Sequence, residues 1–227
     1  MSDDDLEDFG RTRVSEKLLC VVILDGSSSM SDNDAIQELN DGLRALVEDL
    51  KKDPRASRSV RILLLRVGDV SDGGTGAEIL LPWTDVADVS ANLPYVRADG
   101  LTPLGAGARL ALQEIEQEKA RLRKLGSPLL RPWVFIISDG QPNDEGWKEA
   151  AQDCCTAEAS RRINVLPIGT EHADLASLAL FSQSNRPEVV RKARFSELFV
   201  WLSGTLKTMT HTGSAQLPGW PRGTWSR

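Results

Sequence analysis

Asp25, Ser27 and Ser29 alternate with Gly26 and Ser28 immediately after the apolar run Leu18 to Leu24. One carboxylate and two hydroxyls at alternate positions supply three hard oxygen donors. Such donors suit Mg²⁺, Mn²⁺ or Ca²⁺ better than zinc, which favours sulfur and nitrogen. A Ser-rich turn read alone fits a helix cap equally well, because Ser side chains accept from free backbone N–H groups. What surrounds the turn decides between these readings.

The seven apolar residues before Asp25 show no alternation, as expected of a strand buried on both faces of a parallel sheet. In open α/β sheets, ligands bind beyond the carboxyl ends of the strands, and Asp25 stands at such an end. Further along, strands are expected at about 59–67, 77–82, 132–138 and 163–169, with a brief one at Glu188 to Val190. Helices are expected at about 32–51, 104–124, 145–160, 173–181 and 195–209, from apolar spacings such as Ile36, Leu39, Leu43, Leu46 and Leu50. Ser31 or Asp32 can cap the first helix, Pro54 closes its segment, and Pro103 fits the first turn of the helix at 104. Residues 68–77 and 84–101 read as loops. Strand–helix alternation throughout predicts an α/β fold, a doubly wound, mostly parallel central sheet with helices on both faces.

The stretch LLCVVILDGSSSMS at 18–31 resembles the Asp-x-Ser-x-Ser signature of the von Willebrand factor A (vWA) family. That resemblance implies a metal-ion-dependent adhesion site, completed by a Thr from a later loop and an Asp at the end of a later strand. Thr102 in ADGLTPLGAGARLAL and Asp139 in WVFIISDGQPND occupy those places in order. It also implies an antiparallel edge strand at about 77–82, where Pro82 is tolerable. Carried over, Ser27 and Ser29 bind a cation directly, Thr102 directly or through water, and Asp25 and Asp139 mostly through water. Mg²⁺ is the expected ion, with Mn²⁺ or Ca²⁺ as substitutes, and a partner's Asp or Glu is expected to complete its coordination. Gly26 and Ser28 stand where Thr and Gly are commoner.

Within the family, NDGLRALVEDLKKDP, LTPLGAGARLAL, RPWVFIISDGQPND and RFSELFVWLSGTLKTM look most like the bacterial TerY-like group, associated with tellurite resistance and stress. The resemblance implies a scaffold or regulator working with a protein kinase and a PP2C-type phosphatase. The Cys-rich zinc domain of some relatives has no counterpart here.

The 227 residues are expected to divide into an acidic segment at 1–13, a vWA domain at 14–210 and a tail at 211–227. The first segment carries five acids in eight positions, too polar to order itself by burial, though a tail carboxylate could dock at a metal site. Trp220 and Trp225 in the last segment either pack back on the domain or meet a partner. A net charge of −6 argues against nucleic-acid binding. The chain has no apolar run of membrane-spanning length and its beginning is unlike a signal peptide, so a cytoplasmic location is expected. Three cysteines, Cys20, Cys154 and Cys155, suggest no disulfide framework, and Cys154–Cys155 with His172 lack the spacing of a zinc site. Catalysis is not expected. GSSSM at 26–30 is not a nucleophile elbow, there is no phosphate-binding GxxxxGK[ST], and neither His172 nor His211 is placed as a base. The alternatives are a metal-dependent phosphoesterase and an adaptor with a purely structural metal. Oligomeric state is open.

Overall fold

The computed structural model describes residues 16–70, 74–139, 141–170, 173–191, 194–214 and 216–217, without the side chains of 32–34 and 75. The strands are β1 (Leu18–Asp25), β2 (Val60–Val70), β3 (Gly74–Asp85), β4 (Trp133–Ser138), β5 (Asn164–Thr170) and β6 (Glu188–Val190). The helices are α1 (Ala35–Lys52), α2 (Pro54–Ser59), α3 (Leu104–Lys124), α4 (Trp147–Ala159), α5 (Leu175–Leu178) and α6 (Phe195–Thr212). One six-stranded sheet has the order β3-β2-β1-β4-β5-β6. Among the described residues only the β2–β3 pair is antiparallel. The doubly wound architecture expected from the strand–helix alternation is the one observed.

Alternation along the central strand explains why its sequence reads as continuously apolar. Leu18, Cys20, Val22 and Leu24 face one layer, packed with α1 and α6 residues such as Leu43, Phe199 and Leu202. Val21 and Ile23 face the other layer, with Ala108, Ile115, Ala151 and Phe181. Both faces are dry, so no polar residue interrupts the strand before Asp25.

The structure departs from the sequence expectations in four places. A 3-10 turn at Ser28–Asp34 precedes α1, and in it Ser31 Oγ donates to Ser28 O at 2.7 Å instead of capping the helix. α1 ends at Lys52, ahead of Pro54 as expected, but Pro54 then opens the short helix α2, which was not expected, with Asp53 capping Arg55 and Ala56 N–H groups at 3.0 and 2.8 Å. The expected loop at 68–77 is largely a β2–β3 ladder, paired as Gly68–Gly76, Asp69–Thr75 and Val70–Gly74. Backbone bonding at a sheet edge holds it, with little side-chain burial to leave an apolar pattern. Pro82 lies inside β3, where the register shifts between Ile62 and Leu64, so a residue without an N–H is accommodated at a bulge on an edge strand. His172, Trp220 and Trp225 lie outside the described residues.

Candidate metal centre

β1 and β4 are neighbours, and the strand order reverses between them. The connections leaving an open sheet diverge at such a point, opening a crevice beyond the strand ends. Asp25 ends β1, and Asp139 follows Ser138, the last residue of β4.

Asp25 is fully buried. Its Oδ1 accepts from Ser27 N at 2.8 Å and its Oδ2 from Ser138 Oγ at 2.5 Å. Burial pushes its pKa above the usual carboxylate value; the hydrogen bonds from Ser138 and Ser27 oppose this, and the charge of Asp139 adds to it. Asp25 thus folds the turn back on itself and ties β1 to β4. Ser27 is buried, whereas Ser28 and Ser29 are exposed. Ser27 Oγ and Ser29 Oγ lie 2.9 Å apart, and Ser29 Oγ donates to Asp139 Oδ1 at 2.7 Å.

This oxygen chain fits a small octahedral cation. With metal–oxygen distances of about 2.0–2.1 Å, adjacent ligands of Mg²⁺ stand about 2.9 Å apart, close to both spacings. Among the described residues no three His, Cys, Asp or Glu side chains form a metal cluster. A site here therefore depends on the serine hydroxyls, with Asp25 and Asp139 supplying negative charge.

Thr102 reaches the same region through its backbone. Its N–H donates to Asn143 Oδ1 at 3.1 Å, and its carbonyl accepts from Asn143 N at 3.2 Å. Asn143 lies in the loop that Asp139 begins, so Thr102 is clipped to that loop. Asp144 caps α3 from the same loop, accepting from Gly105 N at 3.0 Å and Ala106 N at 2.8 Å. The structure brings Asp25, Ser27, Ser29 and Asp139 into one hydrogen-bonded group and ties Thr102, itself buried, to Asn143 in the segment that follows Asp139.

Asn143 and Asp144 escaped the sequence reading, and so did two further supporting residues. Arg66, on β2 beside Leu24, is fully buried. It donates to the carbonyls of Asp69 at 2.6 Å, Arg97 at 2.9 Å and Gly26 at 3.4 Å, and pairs with Glu78 at 3.1 Å and with Asp99. One side chain thereby holds the Ser-rich turn, the β2–β3 hairpin and the 84–101 loop. Asn40 secures that loop from α1, exchanging hydrogen bonds with Val96 N at 2.8 Å and Val96 O at 3.0 Å. The available signals were an Arg within the apolar run of β2 and an Asn within the apolar stripe of α1.

The family model for the von Willebrand factor type A domain matches residues 20–200. The chain belongs to that family. This vWA chain is similar in structure to the pilus adhesin SpaC of Lactobacillus rhamnosus GG, at TM-score 0.68 and 13% identity over 87% of this chain and 31% of that one. It is also similar to a von Willebrand factor type A protein of Catenulispora acidiphila, at TM-score 0.63 and 14% identity over 85% of this chain and 43% of that one. A third similar structure is proximal thread matrix protein 1 of the mussel byssus with a zinc-occupied MIDAS motif, at TM-score 0.57 and 17% identity over 85% and 48%. The vWA chain spans less than half the length of each of these proteins. No curated protein matches it.

Proposed function

We propose that this vWA domain is a non-catalytic interaction module that captures a partner's carboxylate through a divalent cation. The observation that carries this reading is the Ser27–Ser29–Asp139 oxygen chain, buried at one end and exposed at Ser29. Ser27, Ser29 and Thr102 are the cation's neutral ligands, and Asp25 and Asp139 are its charge-balancing, orienting acids. Hydroxyl ligands leave most of a dication's charge uncompensated, so an incoming Asp or Glu gains a strong charge-assisted contact. Mg²⁺ is the assigned ion; the zinc-occupied motif of the mussel protein supports a divalent cation at this type of site.

Asp25 is not a nucleophile in this reading. Its carboxylate is fully buried and both oxygens are engaged by Ser27 and Ser138, which disfavours a phosphoesterase using it. The exposed Ser29 equally disfavours a purely structural metal, which would be closed off from solvent. The resemblance to the TerY-like group supports a cytoplasmic scaffold in a stress or tellurite-resistance system, with a kinase and a PP2C-type phosphatase as partners. No helix among the described residues is long and apolar enough to cross a membrane.

The test is titration of the purified chain with Mg²⁺ and Mn²⁺, followed by capture of candidate kinase and phosphatase partners in Mg²⁺ and in EDTA. Metal binding lost in Ser29→Ala, with capture only in Mg²⁺, supports carboxylate capture. Equal capture in EDTA overturns it.

A further inference from the structure

A second concavity, of about 480 Å³, lies away from the oxygen chain, at the opposite end of the sheet. Lys119 and Arg123 from α3, Arg131 from the segment entering β4, and Arg161 and Arg162 after α4 line it, with no acid in its walls. Five cations around one cavity are unexpected in a chain of net charge −6. Like charges held together raise the free energy of the empty site and favour an anion. Glu116 outside the cavity offsets part of this, pairing with Lys119 at 3.0 Å and Arg162 at 3.6 Å. Arg131 donates to the neutral Asn164 Oδ1 at 3.1 Å. Arg123 and Arg161 form no ion pair among the described residues.

The backbone supports a built feature. Arg161 has φ 55°, the one positive value on a non-glycine residue among those described. It occupies the residue after the α4 C-cap, with Arg161 N bonded to Glu158 O and Arg162 N to Ala157 O, both at 2.8 Å. Glycine is the usual residue at this position. Arginine there adopts a left-handed backbone conformation that L residues disfavour, and it places a guanidinium at the cavity.

Lys17, the second described residue, lies beside this cavity. Lys17 N donates to Pro128 O at 2.8 Å, and Leu130 N donates to Lys17 O at 2.9 Å. Ser127, Leu129 and Leu130 are cavity walls. Residues 1–15, outside the described part, hold Asp3, Asp4, Asp5, Glu7 and Asp8. Asp8 precedes Lys17 by nine residues, a reach of at most about 30 Å. The metal site begins a full β1 length further on, about 26 Å away and also within that reach, so charge decides: a cavity lined by five cations and no acid attracts carboxylates without any bound metal.

We propose that this basic cavity is a second binding site, for an acidic peptide, and that the segment Asp3–Asp8 of the same chain fills it. Tethering makes the contact intramolecular, at an effective concentration on the order of millimolar. The proposal is independent of the metal-site reading.

Paramagnetic relaxation on the full chain tests it. The native cysteines are buried, so a nitroxide introduced at Leu6→Cys reports on the segment. The expected result is an at least fivefold loss of amide intensity at Ser127, Leu129, Arg161 and Arg162 relative to the reduced label. That loss disappears in R123E/R161E and returns when D4K/D5K is added to that pair. Neutralising the segment in D3N/D4N/D5N/E7Q/D8N removes it as well, without touching the folded part. Broadening centred on Ser29 and Thr102, or none that is localised, overturns the proposal. So does broadening that appears only when label and ¹⁵N reside on different chains.

Discussion

Gly26 is the residue that makes room for Arg66. A Cβ at position 26 would overlap Arg66 Nε and come within 2.6 Å of Arg97 O. Gly in place of the commoner Thr in the first motif therefore has a partner: a buried guanidinium packed under the Ser-rich turn.

Two variants follow from that relationship. Arg66→Met leaves Glu78, Asp99 and three backbone carbonyls without their shared donor, and should destabilise by about 3–5 kcal/mol. Gly26→Ala forces Arg66 or the 97 carbonyl to move and should cost about 1–3 kcal/mol. Because both act on one contact, the double variant should cost less than the sum, by at least about 0.5 kcal/mol. Urea unfolding of the four proteins measures this cycle, and strict additivity would dissociate the two residues.

The metal-site residues should separate into those that bind and those that also hold the fold. Ser29 is exposed, so Ser29→Ala should leave stability within about 0.5 kcal/mol while weakening Mg²⁺ binding at least tenfold. Asp25→Ala removes the buried acceptor of Ser138 Oγ and Ser27 N, costing about 1–3 kcal/mol in addition to metal affinity. Calorimetric metal titration together with thermal unfolding distinguishes the two; a stable Ser29→Ala protein with unchanged Mg²⁺ affinity would remove Ser29 from the ligand set.

The turn and the sheet were legible because they are local or periodic. An unbroken apolar strand followed by Asp25, Ser27 and Ser29 carries its own reading, and the alternation of elements gives the layer order. What could not be read was the long-range polar scaffolding. Arg66 is 31 residues in sequence from Arg97 and 40 from Gly26, and no periodicity links them. The same holds for Asn143 and Asp144, which fasten Thr102 and α3 from 41 and 39 residues further along the chain. Thr102 and Asp139 were found only through the family resemblance, since a Thr-Pro helix entry and an Asp-Gly strand ending are common in themselves. The β2–β3 extension was missed because an edge ladder rich in glycine has no buried face to mark it.

Glu158 offers a test of that hidden scaffolding away from the metal. Its buried carboxylate accepts from Val165 N at 2.9 Å, Ser182 Oγ at 2.9 Å and Gln183 N at 2.8 Å, joining α4 to β5 and the loop before β6. Glu158→Ala should destabilise by about 2–4 kcal/mol, the loss of several hydrogen bonds to a charged acceptor with buried donors left open. Mg²⁺ affinity should be unchanged, because nothing in this network touches Ser27, Ser29 or Asp139. A matched loss of both would mean that the two halves of the sheet are coupled.

Asp49 ties α1 to α6 and sets an expected acid limb. Its Oδ2 accepts from Ser203 Oγ and Lys207 Nζ, both at 2.6 Å. These hydrogen bonds, Lys207 first, hold its pKa below the usual carboxylate value. A depressed folded-state pKa means that the unfolded chain takes up the proton more readily. The contribution is therefore complete well above the unfolded value of about 3.9 and is lost as pH falls toward the lower folded value. Asp49 is 39% exposed, so solvent screening limits the effect to about 1 kcal/mol or less at neutral pH. Asp49→Asn should remove that amount at pH 7 and progressively less as pH falls from the unfolded value toward the lower folded one. Urea midpoints for both proteins between pH 3 and 7 should converge at the acid end; a constant difference across the range would show that the contact acts by packing and not by charge.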